Sequence, residues 1–247
     1  MKTLEFFNTI TGVADTFPII KAVEYRPNWV KTAKDAYNIK KEKMDGSKFF
    51  HVYRCPGIFD LMSTGYIVPA PWDVEVETMG DGEDFRWRVP DTPEITALLE
   101  DSPVVGHMAN AIADSLPQRP GRLNSVIKLT TGWNMIAPPG VKFMVIPIPY
   151  PDSYEFESAP GILDPGLSTE LNAQLYWYVP KGRHVIKAGT PLFQVVPMTD
   201  EKFKMVVRNA TENDKAWVKR RRYFIGISFK PNRNLLREVY NRIWGKK

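Results

Sequence analysis

The stretch "APGILDPGLSTELNAQLYWYVPKGRHVIKAGTPLFQVVPM", residues 159–198, decides how the chain is read. Asp164 follows "GIL" and precedes Pro165 and Gly166, so the chain bends sharply with a carboxylate at the bend. Leu171, Ala173, Leu175 and Trp177 then alternate with Asn172, Gln174, Tyr176 and Tyr178, the period-2 pattern of a strand with one buried face. "PKGRH" reads as a basic hairpin turn, and "AGTPLFQVVPM" as a second, more apolar strand beginning after Gly189. The question is whether Asp164 does chemistry or fixes a corner.

Working outward, the same β pattern recurs. Val74 and Val76 alternate with Asp73, Glu75 and Glu77, "MGDGED" is a turn, and Phe85, Trp87 and Val89 share one face of the next strand. "FFHVYR", "NSVIKLT", "GWNMIA" and "VKFMVIPI" are further strand candidates. Residues 93–115 are the one interior helical expectation, from the spacing of Val104, Val105, Met108 and Ile112 before Pro117. The C-terminal "NLLREVYNRIWGKK" sets apolar and basic residues on opposite sides of a helix. The expected organisation is an N-terminal arm at 1–47, a β-barrel or distorted β-sandwich at 48–200, and a basic C-terminal extension with a helix at 201–247.

The 247 residues, 43% hydrophobic and 25% charged, suffice for one large core. Pro at 21 outnumbers Gly at 16, which suits short strands broken by turns rather than long helices. The formal charge of +5 is unevenly placed. Residues 202–247 carry 14 Lys+Arg against 3 Asp+Glu, whereas residues 1–201 carry 19 against 25. A single cysteine, Cys55, excludes an internal disulfide framework and a multi-cysteine zinc site. No apolar run approaches a bilayer span, and residues 1–17 lack the apolar core of a signal peptide, so a soluble protein is expected.

Several chemistries are disfavoured by the absence of their patterns. There is no Walker-type loop, no dinucleotide fingerprint and no nucleophile elbow. His51, His107 and His184 are dispersed, so no metal site is expected, and no cofactor. Cys55 precedes a proline and reads as a small buried residue at a strand end. The run "KRRRYF", comprising Lys219, Arg220, Arg221, Arg222, Tyr223 and Phe224, interleaves basic and aromatic side chains as a nucleic-acid or partner contact would.

The segments "TGWNMIAPPGV" at 131–141, "GILDPG" at 161–166 and "IKAGTPLFQVV" at 186–196 resemble, in order, the hairpin, Asp turn and closing strand of the dUTP pyrophosphatase and dCTP deaminase family. That resemblance implies a trimeric β-barrel and matches Asp164 to the carboxylate that orients the attacking water. The departures are as informative. Leu167 replaces the aromatic that packs under the base, and Gln174 falls near the deaminases' catalytic glutamate, where an amide cannot act as a base. The phosphate-binding loop is replaced by the acidic "YPDSYEFESAP" at 150–160. Over most of its length the chain also resembles a protein family of tailed phages of marine and cyanobacterial hosts, through the segments 55–74 and 189–197 and the "GILD" turn. This second resemblance implies a phage origin and assigns no activity.

The leading expectation is therefore a non-enzymatic phage protein of host cytoplasm or virion, a virion component or host-factor binder, self-associating and without a membrane anchor. In it Asp164 shapes the corner, since Asp before Pro-Gly commonly accepts backbone N–H bonds. The alternative is a nucleotide-handling protein with Asp164 as catalytic base or acidic ligand, Gln174 reading the base, and Lys181, Arg183 and Lys187 on the phosphates. A third is nucleic-acid binding through the basic run.

Overall fold

A computed structural model describes residues 1–43, 49–92, 95, 104–106 and 120–228. The chain is mainly β, with strands distributed over four sheets. The first orders β15 (Phe203–Asn209), β1 (Lys2–Asn8) and β8 (Trp133–Ile136); the second β10 (Phe156–Ser158), β12 (Ala173–Trp177), β7 (Ile127–Leu129) and β6 (Val104–Gly106). The third orders β11 (Gly161–Leu163), β9 (Phe143–Ile146), β14 (Pro191–Pro197), β3 (Tyr66–Pro69) and β2 (Ile20–Lys21); the fourth β13 (Lys181–Ile186), β4 (Val74–Met79) and β5 (Phe85–Arg88). Among the described residues no sheet closes on itself, so of the expected barrel or distorted β-sandwich the closed barrel is not formed, and open sheets surround a shared core.

The deciding stretch shows why. β12, β13 and β14 follow one another in the chain yet enter three different sheets. "KGRHVI" is a strand, not a hairpin turn, and pairs antiparallel with β4 from Lys181↔Met79 to Ile186↔Val74. Its charged outer face hides a strand that is set by its partner rather than by apolar alternation. The alternation itself is reproduced where it was clear. Ala173, Leu175 and Trp177 are buried on β12, as are Val74 and Val76 on β4.

The N-terminal residues differ most from the expected arm. β1 is a central strand, pairing parallel with β15 and antiparallel with β8, and its Leu4, Phe6 and Phe7 are fully buried. Leu4 and Phe6 join Trp133, Met135, Leu175, Trp177 and Phe193 in the main core. Phe7 faces the other way, against Trp217 and Val218 of the C-terminal helix α4 (Glu212–Ser228). Between them lie α1 (Val13–Thr16), α2 (Asn28–Lys43) and α3 (Pro56–Ser63). Thus β15 is an edge strand of the first sheet and α4 packs on Phe7 through Trp217 and Val218, so this part of the expected extension is joined to the body.

Other expectations change locally. "FFHVYR" forms a 3-10 turn at Val52–Arg54, where His51 Nδ1 accepts the N–H of Tyr53 (3.3 Å). Cys55 is half-buried at the N-terminus of α3, whose first residue is Pro56, a position that needs no N–H. Within the helix expected at 93–115, Val104–Gly106 is a strand; the rest of that span apart from Ile95, and the tail helix at 234–247, fall outside the described residues.

Two polar devices join α3 to the third sheet. Buried Gln194 on β14 donates through Nε2 to Leu61 O (2.8 Å) and to Thr64 O, which satisfies carbonyls at the helix C-terminus. Gly65, at φ +84°, then crosses β14 so closely that a Cβ would sit 2.2 Å from Val195 O. Only glycine fits there.

Candidate functional site

The Asp164 corner is built from backbone outward. β11 ends at Leu163, and the Gly166 N–H donates to Asp164 Oδ1 (2.9 Å) while Leu167 and Ser168 N–H groups donate to the Asp164 carbonyl (2.8 and 3.0 Å). The carboxylate therefore closes an Asx turn that the following Pro-Gly makes sharp. Over this turn lies α4. Buried Arg221 donates through Nη2 to Pro165 O (3.1 Å) and Gly166 O (3.0 Å), and its guanidinium sits 5.0 Å from the Trp217 ring. Arg222 pairs with Glu170 a few residues further on.

The start of α4 explains how those arginines are aimed. Thr211 and Asp214 cap it reciprocally: the Asp214 N–H donates to Thr211 Oγ1 (3.2 Å), and Asp214 Oδ2 accepts from Thr211 N (2.9 Å) and Oγ1 (2.6 Å). Asp214 also pairs with Arg208 (2.6 Å), which reaches Glu5 on β1 (2.8 Å). Hydrogen bonding to Asp214, and then to Glu5, raises the Arg208 pKa further above its already high value. The basic run thus splits by role. Lys219 and Arg220 are exposed, Arg221 and Arg222 hold the helix to the corner, and the side chain of Tyr223 is not described.

The other candidates do not gather around Asp164. Gln174 lies on β12 opposite Lys128, in the second sheet. Lys181 and Arg183 lie on β13 in the fourth. Arg183 donates to Glu77 (3.1 Å), whose hydrogen bond and charge raise the guanidinium pKa, and Lys187 pairs with Asp73 (2.8 Å). The Lys187 hydrogen bond, followed by the Ala188 N–H, holds the Asp73 carboxyl below its ordinary pKa. Two of the three cations proposed for phosphate are already paired with carboxylates.

A cleft elsewhere went unrecognised in the sequence. It encloses about 680 Å³ between Tyr25, the loop and strand at 147–158, Tyr178 and residues 190–192. It is lined by Tyr25, Tyr150, Tyr154, Phe156 and Tyr178, together with Asp152 and Glu157. No lysine, arginine or histidine lines it among the described residues. The wall is anchored to α2: Asp152 accepts the N–H groups of Asn28 (2.9 Å) and Trp29 (3.4 Å), and Trp29 Nε1 donates to Tyr150 O (2.8 Å). Tyr150 is held at φ +52°, an unusual backbone state for a bulky side chain.

Tyr178 donates its hydroxyl to Glu157 Oε2 (3.1 Å), which fixes that carboxylate. Burial, and secondarily the Asp152 charge, pushes the Tyr25 phenol above its ordinary pKa. Ser158 is 2% exposed at the cleft wall, and its hydroxyl has no hydrogen-bond partner among the described residues. The sequence signal was present in "YPDSYEFESAP", which was read only for its acidity.

Among the described residues, no group of three or more histidine, cysteine, aspartate or glutamate side chains is placed to hold a metal ion, and no helix is long and apolar enough to cross a membrane. Compared with known families, the chain matches no family model, and no curated protein shows significant similarity to it.

Proposed function

We propose that the chain is a non-enzymatic phage protein that works by binding, as a virion component or a host-factor-binding accessory protein, on a dUTPase-like β scaffold. The observation that carries this reading is the Asp164 corner. Its carboxylate accepts a turn N–H, and the carbonyls of that turn are capped by a buried arginine from α4. A catalytic carboxylate of the pyrophosphatase type needs to address a water beside a bound nucleotide, whereas Oδ1 of this one is held by the Gly166 N–H.

The paired state of Arg183 and Lys187 supports the same reading, because a triphosphate would have to displace Glu77 and Asp73. The scaffold likeness rests on chain order: "TGWNMIAPPGV" contributes β8, "GILDPG" contains β11 and the corner, and "IKAGTPLFQVV" leads into β14. Self-association is favoured by the edge of the third sheet. There Ile162 on β11 stands opposite Met144 on β9, and both are exposed, an apolar pair beside a strand edge that no other strand covers among the described residues.

The test is a thermal-shift screen against deoxy- and ribonucleotides with Mg²⁺, beside an Asp164→Ala variant. The reading predicts no shift with any nucleotide and a variant that melts earlier. A rise of several degrees with one nucleotide, lost in the variant, would replace it with a working nucleotide site.

A further inference from the structure

We infer that α2 and the segment at 49–54 packed beside it form a surface that binds single-stranded nucleic acid. This goes beyond the proposed function, because it rests on no residue of the Asp164 corner and holds for a binder or an enzyme alike.

Positive charge in the N-terminal body is concentrated here. Residues 26–43 and 49–54 carry seven Lys and Arg against two Asp and Glu, whereas residues 1–25 and 55–201 carry 11 against 22. Lys31, Lys34, Lys41 and Lys43 of α2 are exposed and have no ion-pair or hydrogen-bond partner among the described residues. Such an island of unpaired cations on an acidic body favours a polyanion, whose condensed counterions are released on binding. The helix is a fixed platform for those charges. Asp152 accepts the N–H groups of Asn28 and Trp29 at its start, and Trp29 Nε1 donates to Tyr150 O.

The aromatic residues beside the lysines select the kind of polyanion. Trp29, Phe59, Tyr53, Tyr37 and Phe49 form a continuous row, with successive ring centroids 6.3, 5.7, 5.8 and 5.2 Å apart. All five are only half-buried, whereas Phe6, Trp133, Trp177 and Phe193 of the main core are at most 1% exposed. Cations accompany the row. Lys40 Nζ sits 5.3 Å from the centre of the Phe49 ring, and Arg54 lies 5.8 Å from that of Tyr37, to whose hydroxyl it donates (3.2 Å). Next to Phe49 in the chain, Phe50 is 102% exposed, so its whole ring stands in solvent. A ring in water beside unpaired lysines offers an unpaired base a stacking surface and its phosphates a counter-charge.

Other polyanions use only part of this surface. A lipid headgroup layer takes up an amphipathic helix through a broad apolar face, and α2 exposes one large aliphatic side chain, Ile39. An acidic peptide would engage the lysines and leave Phe50 unstacked. A duplex keeps its base faces inside its own stack. The basic run at 219–224 is a separate feature, because Arg221 and Arg222 are engaged at the Asp164 corner.

The experiment is fluorescence anisotropy of the full chain with labelled oligothymidylate and oligouridylate of about 20 nucleotides, across about 25–250 mM NaCl. Four unpaired lysines predict a slope of log K against log salt of about −2 to −3. Lys41→Gln with Lys43→Gln should weaken binding about tenfold or more near 100 mM salt and make that slope shallower by about 1.4. Phe50→Ala should weaken binding about fivefold or more and leave the slope unchanged, which separates stacking from charge. All three positions are exposed, so the variants should melt as the wild type does. Binding of either oligomer supports the inference, the tighter one naming the sugar. No binding at low salt, unaltered binding by both variants, or a duplex of equal length bound as tightly as the single strand would overturn it. So would binding to phosphatidylserine vesicles, lost in the lysine variant, by a chain that leaves both oligomers free.

Discussion

Replacing Arg221 by alanine tests the contact that turns a basic run into a structural device. Arg221 is 7% exposed, and its guanidinium bonds the carbonyls of Pro165 and Gly166 at 3.1 and 3.0 Å and lies over Trp217 at 5.0 Å. A hydrogen bond to a charged donor is worth about 1.5–3 kcal/mol, and a desolvated cation–π contact about 2 kcal/mol. These share one guanidinium and do not add fully, so the expected loss is about 2–4 kcal/mol. For a chain of this size that lowers Tm by about 4–16 °C. Arg221→Lys keeps the charge but not the planar fork and should fall between wild type and alanine. Lys219→Ala and Arg220→Ala, at exposed positions, should stay within about 0.5 kcal/mol. Urea denaturation of the four variants gives the answer. An Arg221→Ala protein as stable as wild type, or an Arg220→Ala protein that loses more, would refute the reasoning.

Three further outcomes are expected. Phe6→Ala should cost about 3–5 kcal/mol in denaturant titration, because β1 is a core strand; a change below 1 kcal/mol would return residues 1–8 to the status of an arm. Gly65→Ala combines a left-handed φ with a Cβ 2.2 Å from Val195 O and should destabilise by about 2–4 kcal/mol, checked by thermal melting. The Asp73–Lys187 pair predicts a pH dependence: the folded Asp73 pKa is depressed, so its stabilisation is present above the unfolded value near 3.9 and lost as pH falls through the folded one. Asp73→Asn should therefore be less stable than wild type at pH 7 by up to about 1 kcal/mol, the gap closing in acid and shrinking in high salt, since the pair is exposed.

Local pattern carried part of this fold. Val74 and Val76, and Ala173, Leu175 and Trp177, announce their buried faces because alternation is a property of a few adjacent residues. Partner choice is not local. β1 and β15 pair in parallel across nearly the whole chain, and β12, β13 and β14 part into three sheets, which no short window reveals. β13 was missed because Lys181, Gly182 and Arg183 are exposed; its strand character comes from β4. The corner at Asp164 was readable from Asp-Pro-Gly alone. The arginines above it were visible as charge, but their burial depends on carbonyls some 55 residues away in sequence. The cleft was hidden for the same reason, since Tyr25, Tyr178 and residues 190–192 join the acidic segment only in space.

The most direct test of the non-enzymatic reading is ³¹P NMR of dUTP, dCTP and the ribonucleoside triphosphates incubated with the purified chain and Mg²⁺. The account predicts spectra that match those of the nucleotides alone over hours. Conversion of one of them to its monophosphate and pyrophosphate, abolished by Asp164→Ala, would contradict it and make the corner carboxylate a catalytic one.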